Sequence, residues 1–331
     1  SSDVCSSDLD QDEYLEMNRD FFEDGVDWST RWTTFIMAPL MLFFSWFGFN
    51  YLTSTILAGC LVSSLTIIPL WLIAEHLSVY PRIVSLFYIF SSFELIRILA
   101  IGSYTTEFGI LFLTLYILLL LRGYYILAPF VYIIPFFSHK SSPLFMYLLL
   151  AFAGIYSVIR YKSIFNIEAR KWIIWSCVVF LVFGALKFGV IDPSLVSSSQ
   201  TVVSTKAAEN AAHVKMQPFS DYVEIGGSHL LILALLGIVA FVRENKSLLM
   251  RSWVFAPQLL SFVPLFTNVE VSARIAAYGA PSMALLAAYA FRSWKQRHWL
   301  MKVLLVLLVI GTIHYAVTYS IFQLYTHSVA A

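Results

Sequence analysis

Apolar residues in this chain come in runs of about 15 to 23, with the charged residues confined to the segments between them. A bilayer core about 30 Å thick is crossed by roughly 20 apolar residues in a helix, so the runs predict an all-α polytopic membrane protein. Of 331 residues 59% are hydrophobic and 12% charged, against about 25% charged in an ordinary soluble domain. Water-soluble enzyme folds are therefore excluded. The net charge of +1 sits in short loops, so no nucleic-acid partner is expected. Cys60 and Cys177 fall inside apolar runs and Cys5 near the start, which leaves no disulfide framework or zinc site.

Ten membrane helices are predicted, near residues 52–74, 83–101, 105–121, 124–138, 143–159, 173–190, 228–242, 252–267, 275–291 and 303–323. A further apolar stretch, Phe35–Phe49, is short and follows a polar segment with Trp28 and Trp32. Loop charge decides how it is read. If it does not cross and Asp10–Arg31 is external, thirteen basic residues fall inside: Arg82, Arg122, Arg160, Lys162, Arg170, Lys171, Arg243, Lys246, Arg251, Arg292, Lys295, Arg297 and Lys302. Seven fall outside: Arg19, Arg31, Lys140, Lys187, Lys206, Lys215 and Arg274. A crossing would reverse this positive-inside bias. Phe35–Phe49 is therefore expected at the outer interface or as a re-entrant element.

Ser1–Leu9, SSDVCSSDL, reads as translated sequencing adapter, although an ordinary disordered tail has the same composition. A first membrane helix is then expected before Asp10, which makes 331 residues a truncated count. Residues 10–331 are read as one transmembrane domain, with an external juxtamembrane segment at 10–50 and a Ser/Ala-rich external loop at 191–227. That loop carries Asp192, Lys206, Lys215 and Asp221 and could close over a site.

The outer face collects the features that could carry chemistry. Residues 10–25, DQDEYLEMNRDFFEDG, place Tyr14, Leu15, Met17, Phe21 and Phe22 at helical spacing, which predicts an amphipathic helix lying on the membrane. Its acids are either a solvated face or a general base at the mouth of the bundle, where Asp10 and Asp12 could hold two carboxylates near a cation. Glu94 and Arg97 lie three apart in one predicted membrane helix and are read as a structural ion pair. The seven histidines are scattered, with no pair at metal-ligand spacing.

The run Asp10–Trp28, DQDEYLEMNRDFFEDGVDW, resembles the first external loop of GT-C fold glycosyltransferases, in particular the aminoarabinose and protein O-mannosyl transferase branch. The shared features are an acid, a Tyr four residues on, then an Arg, a Gly and a Trp: Asp10, Tyr14, Arg19, Gly25 and Trp28. Three further segments are similar in order and expected side. AIGSYTTEFG (100–109) resembles the turn that carries an acid, here Glu107; FFSHKSSPL (136–144) the turn with a basic residue, here Lys140. ARIAAYGAPSMALLAAYAF (273–291) resembles the late external Arg, here Arg274, followed by a Leu/Ala-rich helix. The chain departs from the branch at Pro39, where Ala38 replaces the expected Lys, so either the donor differs or another cation, Arg274 or Lys140, serves in its place.

The resemblance implies an inverting glycosyltransferase of the cell membrane. It would move a sugar from a polyprenyl-phosphate donor to a lipid, glycan or protein acceptor at the external face. Asp10 is the implied catalytic base, with Asp12 and Glu13 as fallbacks. Glu107 would position the acceptor or help hold a divalent cation, Mg or Mn, and Lys140 and Arg274 would bind the donor phosphate. A transporter or flippase of lipid-linked oligosaccharide, centred on Glu94 and Arg97, and a polysaccharide polymerase with a similar outer site are the alternatives.

Overall fold

The computed structural model describes residues 32–91, 104–138, 141–162, 167–186, 227–245, 247–262, 277–292 and 294–330. They form eleven α-helices, with no strand among the described residues. These are α1 (Trp32–Ser45), α2 (Tyr51–His76), α3 (Pro81–Ile89), α4 (Tyr104–Leu121), α5 (Leu127–Ser138) and α6 (Ser141–Tyr161). They continue with α7 (Ile167–Leu186), α8 (Ser228–Glu244), α9 (Leu248–Phe262), α10 (Ala280–Tyr289) and α11 (Trp299–Ala330). The all-α class expected from the apolar runs is thus the class adopted. Among the described residues two stretches, Thr53–His76 and Trp299–Tyr319, are long and apolar enough to cross a membrane.

Helix ends depart from the apolar runs where good helix formers flank them. α7 begins at Ile167, not near 173, because Glu168, Ala169, Arg170 and Lys171 favour the helix although their charge ends the apolar run. α10 is shorter than the predicted 275–291, starting after Gly279. The remainder of the predicted 83–101 helix after α3, including Glu94 and Arg97, lies outside the described residues.

Local chemistry sets the turns. The Asn50 side chain accepts a hydrogen bond from the Thr53 N–H (2.9 Å) and caps α2, and Pro81 opens α3 at a position that needs no N–H donor. Both α2 and α4 end in a Schellman turn. In α2 the N–H groups of Ser78 and Val79 donate to Glu75 and Ala74; in α4 those of Gly123 and Tyr124 donate to Leu120 and Leu119. The left-handed residue is Gly123 (φ +83°) in one and Ser78 (φ +55°) in the other.

α10 is the centre of the bundle. Every residue from Ala280 to Tyr289 is buried, enclosed by α3, α8 and α9. Its alanines permit close approach: a Cβ at Gly237 of α8 would collide with the Leu286 carbonyl. Outward faces are apolar instead, with Ile159 75%, Val239 72% and Leu181 64% exposed.

α1 folds back along the first half of α2. Met41 is buried with Ala58 and Val62 of α2 and Phe108 and Leu111 of α4, and the Thr55 hydroxyl donates to its sulfur (3.6 Å). Successive helices alternate in direction, so the ends of α2, α4, α6, α8 and α10 meet the starts of α3, α5, α7, α9 and α11. All thirteen basic residues read as internal, apart from Lys246, which lies outside the described residues, belong to this one basic end.

Candidate functional site

At the opposite end, three helices meet over a buried polar cluster. Gly109, in the second turn of α4, has no side chain, and the Tyr278 hydroxyl occupies the space a Cβ would fill. That hydroxyl shares a hydrogen bond with Ser142 Oγ of α6 (2.7 Å), and the Tyr132 hydroxyl of α5 donates to the Ser142 carbonyl (3.3 Å). Phe145 stacks on Tyr278 at 4.6 Å between centroids. The Gln258 side chain of α9 donates to Gly279 O (3.1 Å) and Ser282 Oγ (3.3 Å), fixing the break between Tyr278 and α10.

Glu107 stands two residues before Gly109, in the first turn of α4, and is fully buried. Exposed N–H groups of a first helical turn favour an anion, which offsets part of the cost of burying the carboxylate. Of the candidate residues, Glu107 alone is described. Asp10, Asp12, Glu13, Lys140 and Arg274 lie outside the described residues, as do the 10–25 amphipathic segment and residues 191–226 of the 191–227 loop. Ser142, Tyr278 and Gln258 were missed by sequence reasoning. The first two sit in the segments singled out for Lys140 and Arg274, and the available signal was a hydroxyl within an otherwise apolar helix start.

The basic end holds a second locus, on the side where the sequence suggested no chemistry. A cleft of about 400 Å³ opens there, lined among others by His76, Ser78, Glu244, Asn245, Ser247 and Arg292. Arg292 Nη1 donates to Leu77 O (3.0 Å) and pairs with Glu244, and the Asn245 amide donates to the Tyr289 hydroxyl (2.5 Å). Beside it Arg251, 8% exposed, donates from Nε to Asn245 O (2.7 Å), from Nη1 to the Tyr156 hydroxyl (2.6 Å) and from Nη2 to Val242 O (2.8 Å). These carbonyls end α8, where a cation is favoured.

Among the described residues no group of three His, Cys, Asp or Glu side chains could hold a metal ion. In comparisons with known proteins, the chain matches no protein-family model and no curated protein.

Proposed function

We propose that the chain is a multi-pass membrane protein that transfers a sugar from a polyprenyl-phosphate donor to an acceptor, at the Glu107 end of its bundle. The observation that carries this reading is the three-way contact of Gly109, Tyr278 and Ser142. Each partner is tied through the chain to a candidate residue: Glu107 is two residues from Gly109, Lys140 two from Ser142, and Arg274 four from Tyr278. In this reading an acid and two cations, distant in sequence, act around one buried cluster.

The membrane part of the reading is supported by the exposed apolar faces of α6, α7 and α8, because soluble proteins rarely leave such surface in water, and by the collection of the basic residues at the other end. If α2 crosses, α1 runs beside its first half at bilayer depth and not flat on the surface; the re-entrant placement of Phe35–Phe49 fits this pairing.

In the proposed step, the acceptor oxygen attacks the anomeric carbon as its proton passes to Asp10. The bond from that carbon to the phosphate oxygen breaks, and polyprenyl phosphate departs with inversion at carbon. Lys140 and Arg274 would stabilise the charge growing on the phosphate, while Glu107 would orient the acceptor or hold a divalent cation.

The test is transfer by the full chain in liposomes supplied with labelled polyprenyl-phosphate sugars. Asp10→Asn is expected to abolish transfer with donor binding kept, and Glu107→Gln to lower kcat at least ~100-fold with thermal stability unchanged or raised. Full activity in both variants overturns the assignment.

A further inference from the structure

We propose that the cleft at the basic end is a binding site for the phosphoryl group of an anionic ligand, held by Arg292, Asn245 and the hydroxyls of Ser78 and Ser247. This site lies at the opposite end of the bundle from Glu107 and does not depend on the sugar-transfer reading. The cleft, at about 400 Å³, falls within the size range of small-molecule sites.

Three observations point to an anion. Arg292 is one-third exposed; its Nη1 is engaged by Leu77 and Glu244, and the guanidinium lies over the Tyr289 ring, 5.6 Å from the centroid. A guanidinium has five donors in a rigid fork, enough to add a contact with phosphate. Exposed cations Arg122, Lys171 and Arg243 are adjacent in the chain to the lining residues Leu121, Trp172 and Glu244, against one exposed carboxylate, Glu75, adjacent to His76. This excess of positive charge raises the local concentration of anions. Finally, Ser78 occupies the left-handed position of its Schellman turn, where the equivalent turn of α4 has Gly123. Glycine fills such a position without steric strain, and strained residues gather at ligand sites. Ser78 is one of the residues that line the cleft.

Glu244 is the one carboxylate among the lining residues. Its pairing with Arg292 neutralises the cleft when no ligand is bound, and a phosphoryl group has to compete with it. Removing its charge should therefore strengthen binding, the opposite of what losing a structural salt bridge would do.

A phosphoryl group could come from a soluble phosphate compound or from a lipid headgroup, and two measurements separate them. The full chain is placed in nanodiscs of neutral phosphatidylcholine and titrated with inorganic pyrophosphate by calorimetry; in parallel, its thermal midpoint is followed as phosphatidylglycerol replaces the neutral lipid. Saturable pyrophosphate binding supports the site with a soluble source, and saturable stabilisation by phosphatidylglycerol alone supports it with a lipid source. In whichever arm responds, Glu244→Gln should tighten binding about tenfold, and Ser78→Gly, which preserves the turn, should weaken it severalfold. No saturable response in either arm overturns the proposal, as does a response that neither variant changes.

Discussion

At the basic end of the bundle, guanidinium groups are bonded to the protein's own backbone. Arg251 ties the last carbonyls of α8 to Tyr156 of α6, and Arg292 joins the end of α10 to the ends of α2 and α8. At the Glu107 end the polar cluster is built from hydroxyls, one amide and one buried carboxylate: Ser142, Tyr278, Tyr132, Gln258 and Glu107. Both ends have to satisfy helix termini, but by different chemistry. Charged donors give the stronger bonds and pin the helix ends. Neutral hydroxyls bond more weakly but allow the helices to meet closely, as the contact of Tyr278 on Gly109 requires. The first arrangement suits a fixed base, and the second close contact between helices.

The largest expected effect separates the ends by stability. Arg251→Met leaves the Val242 and Asn245 carbonyls and the Tyr156 hydroxyl without their donor, at a cost of roughly 3 kcal/mol, read as a lowered thermal midpoint in detergent. A loss below ~1 kcal/mol would mean that the basic end is not fixed by this guanidinium. Gly109→Ala tests the other end: the added methyl displaces the Tyr278 ring end, with roughly 2 kcal/mol lost and transfer reduced at the same time. If stability falls but transfer survives, the hydroxyl cluster is packing and the proposed site lies elsewhere.

Smaller effects sharpen the contrast. Tyr278→Phe removes the neutral hydrogen bond to Ser142 and should cost about 1 kcal/mol, much less than Arg251→Met, when unfolding is followed by the same method. The smallest effect is expected at the two Schellman turns. Ser78→Gly should stabilise the fold by about 1 kcal/mol and Gly123→Ser destabilise it by a similar amount. If Ser78→Gly instead destabilises, the serine hydroxyl is bonded strongly enough to outweigh the strain of its backbone.

Much of the fold is legible in the sequence because burial and periodicity are local properties. The predicted helices at 52–74, 105–121, 124–138, 143–159 and 228–242 lie within two or three residues of α2, α4, α5, α6 and α8. The boundary of α7 is not legible in this way, since Glu168, Arg170 and Lys171 end an apolar run without ending a helix. The site is less legible still. Glu107 is notable in the sequence as an acid at the start of an apolar helix, but Tyr278 and Ser142 look like ordinary polar residues in unrelated segments.

By itself, the sequence determined the helical class, the alternation of more and less basic connections and the candidate charged residues, because each depends on neighbours along the chain. Tertiary structure alone decided which of those neighbours meet. A glycine in α4 admits a tyrosine 169 positions later, and an arginine after α10 joins the ends of α2 and α8. The same packing opens the cleft at the basic end. These contacts depend on how helices pack side by side, and no spacing within one helix encodes that.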